Sequence, residues 1–281
     1  MRHKEIESII RKRFEKLNTA FEQVRLHFRE DDIRSFRVKV KKLQACLYLM
    51  EHVKDHHHAI CVPRHIADLY KLSGTIRTLQ MQERCIRKTL TAKNMALPQT
   101  YLALLSGKIL HAVGELAKLI SNHESLGKEE LNLVDLLPHH LSQGDIEKFI
   151  ASKEDALKKL IAPVFPTDVA LHEIRKELKN LLYTSPYIPT DIGTLSSFAL
   201  LSTPAQMDSF TIILGDFHDM NVAIDCLHAE CTDIEINDDE KAVLRNIETQ
   251  WMNERTSIRE KVYDQIQKIT ASILPLASPV K

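Results

Sequence analysis

The chain is poor in the residues that bend a backbone. Among 281 residues there are seven glycines and ten prolines, about half the usual share. An all-β fold needs a turn signal every ~8–12 residues, so this composition excludes one and favours long helices. Aromatic residues make up only 6%, with a single tryptophan. No apolar run reaches the ~18 residues that span a bilayer, so no membrane partner is expected. The opening stretch MRHKEIESIIRKRFEKL carries charge throughout and does not read as a secretory signal. The five cysteines include no C-x-x-C, which points to reduced thiols and a cytoplasmic setting. There is no G-x-G-x-x-G, no G-x-x-x-x-G-K-[ST] and no G-x-S-x-G, so phosphate-cradling glycine loops and a hydrolase elbow are not expected. Net charge is also missing: 38 basic and 38 acidic residues cancel. Attraction of the whole protein to nucleic acid or membrane is not expected, and any polyanion site must be local.

What is present is helical periodicity. Hydrophobic content of 44% beside 27% charged residues argues against disorder. Ile6, Ile10, Phe14, Leu17, Phe21, Val24 and Phe28 recur every three or four residues, predicting a helix over 3–29. Similar spacing predicts helices at 33–53, 63–92, 98–121, 142–161, 168–183, 203–230 and 238–272. Residues 121–130 read as a linker and 131–142 as a short helix.

This order contains a repeat. At an offset of 138, Ile33 falls on Leu171, Phe36 on Ile174, Val40 on Leu178 and Leu43 on Leu181. Arg37 falls on Arg175 and Lys41 on Lys179, while SGTIR at 73–77 meets LGDFH at 214–218. The expected fold is all-α: two antiparallel four-helix bundles related by a pseudo-twofold internal duplication. The halves are residues 1–125 and 126–281, together one domain.

At 100° per residue, Leu171, Ile174, Leu178, Leu181 and Leu182 fill one arc of the helix at 168–183. Glu173, Glu177 and Asn180 lie opposite as a solvent face. His172, Arg175, Lys176 and Lys179 form a stripe between them, with Tyr183 one turn on. The helix at 33–50 has Arg34, Arg37 and Lys41 beside its core face of Ile33, Phe36, Val40, Leu43 and Leu47, and Val38, Ala45 and Leu49 flank the stripe's other side. A basic row with apolar residues on both sides should line a groove. Its charge needs either protein carboxylates or an anionic ligand. Arginine suits phosphate through bidentate contacts and lysine as a point charge.

These residues resemble the CHAD family, the conserved histidine α-helical domain. Its repeated pattern runs H-x-x-R-[VK]-x-x-[RK]-[RK]-L-[RK]-x, followed by L-G-x-x-[RH]-D-x-x-V. His172, Arg175, Lys176 and Lys179, then Leu214, Gly215, His218, Asp219 and Val222, fit the second copy. Arg37, Val38, Lys41, Lys42, Leu43, Gly74 and Arg77 fit the first. Arg34 stands where that copy should have histidine, Gln44 where a base is usual, and Thr78 where an acid is usual. The resemblance covers about 30–230. It implies a basic cavity between two helical bundles that binds inorganic polyphosphate without catalysis, with no cofactor and no metal, in the cytoplasm or on polyphosphate granules.

On that reading Arg34, Arg37, Lys41, Lys42, Arg175, Lys176 and Lys179 contact phosphate oxygens, with Lys42 at the stripe's edge. His172 and His218 hydrogen-bond phosphate, more strongly when protonated. Arg77, with Arg84 seven residues on, extends the wall, and Asp219 orients a neighbouring base. The remaining acidic residues are expected on outer faces.

Two other readings use the same residues. A helical scaffold or adaptor would neutralise its stripes internally. An HD-type metal-dependent phosphohydrolase would use the His218–Asp219 pair with His172, although no E-x-x-H or H-E-x-x-H supports a metal bundle. His56, His57 and His58 are adjacent, and adjacent residues seldom converge on one ion. Nucleic acid is not expected, because bases need stacking partners and only Tyr48 and Tyr183 lie along the stripes.

Overall fold

The computed structural model describes residues 1–51, 60–121, 125–189, 195, 197–233 and 236–273. Within them the chain is helical: α1 (His3–His27), α2 (Glu30–Glu51), α3 (Arg64–Lys93), α4 (Gln99–Ser121), α5 (Gly127–Val134), α6 (Gln143–Ile161), α7 (Asp168–Thr184), α8 (Pro204–Asp233) and α9 (Asp238–Ala271). Short 3-10 turns occupy Ser185–Tyr187 and Ala199–Leu201. The only strand-like pairings among the described residues are isolated bridges between Arg2 and His140 and between Phe198 and Ile273.

The termini follow from local chemistry. Ser142, Thr167 and Asn237 each accept a hydrogen bond from the backbone N–H three residues on, opening α6, α7 and α9 and satisfying a donor that the helix leaves free. Glu30, Asp31 and Asp32 form the first turn of α2 rather than a break before it. Carboxylates are favoured there because they face the positive end of the helix dipole. Phe28 does not extend α1. It turns left-handed at φ 51° as the C-cap, donating its N–H to the Val24 carbonyl. The helix expected at 131–142 instead occupies Gly127–Val134, so the polar stretch before it is partly helical.

The apolar faces pack as the periodicity requires. Ile6, Ile10, Phe14, Leu17, Phe21 and Val24 of α1 are buried, as are Ile33, Phe36, Val40, Leu43 and Leu47 of α2 and Leu171, Ile174, Leu178 and Leu181 of α7. Each such side chain contributes about 1.5–3 kcal/mol by leaving water. Leu182 is only half-buried. Glu177 is not on a solvent face: it pairs at 2.6 Å with Lys153 of α6, a lysine only 2% exposed that also lies 4.0 Å from the Tyr48 ring.

Neighbouring helices pack in sequence order, α1 on α2, α2 on α3 and α3 on α4, then α6 on α7, α7 on α8 and α8 on α9. Across the molecule α2 packs on α7, α3 on α8 and α4 on α9. The cores do not divide at residue 125. One joins α1, α2, α5, α6 and α7 to parts of α3, α4, α8 and α9. The other joins the remaining parts of α3, α4, α8 and α9 around Trp251, whose indole N–H donates to Thr89 Oγ1 at 2.9 Å. Packing α2 against α7 brings the two basic stripes to one place.

Candidate anion-binding site

Arg37 leaves α2 and lies flat on α3. Its guanidinium carbon is 4.1 Å from the centre of the Tyr70 ring, a cation–π arrangement, and Nη1 donates to the Tyr70 carbonyl and to Ser73 Oγ. The approach is possible because residue 74 is glycine: a Cβ there would sit 2.7 Å from Nη1. Arg175 repeats the arrangement on α7, where a Cβ on Gly215 of α8 would lie 3.3 Å from its Nε. That Nε is buried with no hydrogen-bond partner. Both glycines of the repeated segment therefore serve as seats for an arginine of the neighbouring helix.

Lys41 lies within electrostatic reach of both arginines, and two histidines within reach of Lys41 and Arg175. Burial lowers the Lys41 pKa to about 8, helped by the charges of Arg175, Arg37 and Lys179 and opposed by Asp219. The rings of His172 and His218 stand 4.4 Å apart, tilted by 41°. Burial, then His172, Arg175 and Lys41, push His218 down to about 4. His172 is lowered by burial, with Glu173 opposing and Lys176, Arg175 and Lys41 adding to the fall. Its Nδ1 is buried without a partner. Desolvation and neighbouring cations both disfavour the charged form, so these shifts record a place where positive charge is crowded and poorly compensated.

Among the described residues, Arg37, Lys41 and Arg175 have no carboxylate within ion-pair distance, unlike Arg77, Arg84, Lys176 and Lys179. Arg77 and Arg84 both donate to Glu30 of α2. Lys179 pairs with Asp208 of α8 at 2.9 Å, and Lys176 with Glu173 of its own helix at 2.9 Å. Carboxylates thus reach the edge of the stripe but not its centre, so the acidic residues are not confined to remote outer faces.

The structure brings Arg37, Lys41, His172, Arg175 and His218 together, with Arg77 and Lys179 beside them. Arg34 and Lys176 are exposed. Lys42 lies at the end of the stripe, its Nζ 5.5 Å from the ring of Tyr183 on α7 and within reach of the charges of Arg13 and Lys16 on α1. Asp219 is exposed, and its charge favours the protonated form of Lys41. Among the described residues no three His, Cys, Asp or Glu side chains converge on a point suited to a metal ion. His56, His57 and His58 lie outside the described residues.

Periodicity did not single out two residues on α9. Arg255 and Arg259 both donate to Asp168 at the start of α7, each at 2.7 Å. They also lie over the Phe217 ring, at 6.0 and 5.4 Å. Asp168 is one turn before His172, so this clamp closes the N-terminal end of the stripe. An arginine pair four residues apart was the visible signal, but its partner is 87 and 91 residues away.

The family model for the CHAD domain matches residues 8–228. The fold is similar to that of PptA from Streptomyces chartreusis, with TM-score 0.69, 14% identity, and 95% of this chain and 99% of that one covered. It is equally similar to the CHAD domain from the plant Ricinus communis, with TM-score 0.68, 17% identity, and coverage of 99% and 93%. No curated protein matches the sequence.

Proposed function

The chain belongs to the CHAD domain family, and from that premise we propose that it binds inorganic polyphosphate, or a similar phosphate-rich polyanion, without turning it over. The family is one that binds polyphosphate. The observation that carries the reading for this chain is the group of Arg37, Lys41 and Arg175, free of carboxylate partners in a protein of zero net charge. A scaffold that neutralised its own stripe would pair these three as it pairs Arg77, Lys176 and Lys179. Holding uncompensated cations together costs folding energy, and a phosphate chain supplies the missing negative charge. The arginines offer donors to phosphate oxygens, Lys41 a compact charge, and the histidines further donors once protonated.

On this reading the basic cluster is the floor of a cavity between two duplicated four-helix units, α1–α4 within residues 1–125 and α6–α9 within residues 126–281. Successive helices in the two parts begin at similar spacings and make matching contacts. The protein acts in the cytoplasm, where the free thiols of Cys46, Cys61 and Cys85 would stay reduced.

The test is titration with labelled long-chain polyphosphate at several salt concentrations, competed with sulfate and single-stranded DNA. Binding should weaken steeply with salt, by about 0.7 in log–log slope per phosphate contact, and neither competitor should displace it. The double variant Arg175→Glu/Lys179→Glu should lose most of the affinity and keep its helical circular dichroism. No binding by the wild type at low salt would refute the proposal. Loss of helicity in the variant would make the stripe structural.

A further inference from the structure

The basic surface does not end at the inner cluster. Lys179 lies on α7 one turn before Tyr183, and Tyr187 follows one turn later in the 3-10 extension of that helix. A cation from a different helix rests on each ring. Lys42 of α2 stands 5.5 Å from the centre of Tyr183, and Arg13 of α1 stands 5.3 Å from the centre of Tyr187. From Lys179 to Tyr187 is about 12 Å at the helical rise, so this line of contacts runs from the inner stripe out to the α1–α2 face.

Two more cations join it there. Lys39 precedes Lys42 by three residues on α2, and Lys16 follows Arg13 by three on α1, so each pair shares a helix face. α1 and α2 pack together. After burial, the largest influences on the Lys42 pKa are the charges of Lys39, Arg13, Lys16 and Lys179, all of which lower it. Among the described residues none of Arg13, Lys16, Lys39 and Lys42 has a carboxylate within ion-pair distance. The neighbouring Arg11 on α1, by contrast, is held by Glu7 and Glu130. Arg13 Nε is buried without a hydrogen-bond partner. This is a second group of uncompensated cations, joined to the first through Lys179.

We propose that Arg13, Lys16, Lys39 and Lys42 form an outer phosphate-binding track, seated on Tyr183 and Tyr187, that continues the inner cluster onto the α1–α2 face. The inference rests on the polyphosphate reading above and deepens it. The ligand class is a linear phosphate polymer long enough to leave the inner cluster and lie along this face. Short phosphate oligomers occupy the inner cluster alone. The protein therefore discriminates by chain length, with tighter binding of long chains coming from the outer lysines.

The test compares tripolyphosphate with long-chain polyphosphate on the full chain, using wild type and the double variant Lys16→Gln/Lys39→Gln. Lys16 is exposed and Lys39 half-exposed, so the variant is expected to fold, and its thermal midpoint is checked against wild type. The variant should bind long-chain polyphosphate roughly tenfold more weakly, with a log–log salt slope shallower by about 1.4. Its affinity for tripolyphosphate should not change. Unaltered long-chain affinity would overturn the track and leave the inner site standing, as would an equal loss for both probes. Wild type that binds neither probe would overturn the polyphosphate reading and the track with it. If single-stranded DNA displaces long-chain polyphosphate from wild type but not from the variant, the outer face is a nucleic-acid surface and the track is wrong.

Discussion

Lys41 should take up a proton when the anion binds. In the free protein its pKa is about 8, held down by burial and by Arg37 on its own helix and Arg175 and Lys179 from α7, with Asp219 of α8 opposing. His172 and His218 face the same space and are also depressed below the ordinary histidine value, so both are neutral at the pH of this test. A phosphate chain beside Lys41 reverses the local field and favours its charged form. The pKa then climbs back toward the ordinary lysine value of about 10.4. At pH 8.5 about three quarters of Lys41 is neutral in the free protein, so binding should absorb close to 0.75 proton. The sign follows directly: the complex holds more protons than the free protein, so affinity falls as pH rises above about 8. The loss approaches tenfold per unit until the pKa of the complex is reached. Calorimetric titration at pH 8.5 in buffers of different ionisation enthalpy measures this uptake. Lys41→Arg keeps the charge but removes the titration, because arginine stays protonated. Its uptake should fall near zero while binding persists, and its affinity should be flat from pH 7.5 to 9. Wild type that binds without absorbing protons at pH 8.5 would refute the reasoning, and so would a Lys41→Arg variant with the wild-type pH dependence.

Gly74→Ala should force the Arg37 guanidinium off its seat, since the new Cβ would fall 2.7 Å from Nη1. Alanine favours a helix by about 1 kcal/mol over glycine, so the thermal midpoint should hold or rise while polyphosphate affinity drops several-fold. Gly215→Ala, with its nearest contact at 3.3 Å, should show the smaller loss, and a larger effect there would contradict the seating argument. Lys153→Met should cost about 3 kcal/mol in urea unfolding, because it strands the half-buried Glu177 carboxylate in a site built for an ion pair. The double variant Lys153→Met/Glu177→Leu should recover most of that loss, and polyphosphate affinity should change in neither.

The two glycines show where sequence and structure meet. Gly74 and Gly215 stand at matching places in the repeat, and so do Arg37 and Arg175. The pairing of each arginine with a glycine of the next helix became visible only when α2 packed on α3 and α7 on α8. The core faces needed no such step. Ile33, Phe36, Val40 and Leu43, like Leu171, Ile174, Leu178 and Leu181, repeat with the helical period and are buried together. The basic rows beside them were legible for the same reason.

What the sequence determined by itself is therefore local. It set where the helices run, which face of each is apolar, and which register carries arginine and lysine, because a period of 3.6 residues is written in neighbouring positions. Which of those cations would keep an uncompensated charge was decided only by tertiary structure. Glu30 reaches Arg77 across 47 residues, Asp208 reaches Lys179 across 29, and Asp168 takes two arginines from α9. Glu177, on the expected solvent face, instead meets a buried lysine of α6. Electrostatic partners are chosen by distance in space, and that distance is fixed by how the helices cross. The packing places carboxylates beside Arg77, Lys179, Arg255 and Arg259 and none within ion-pair distance of Arg37, Lys41 and Arg175.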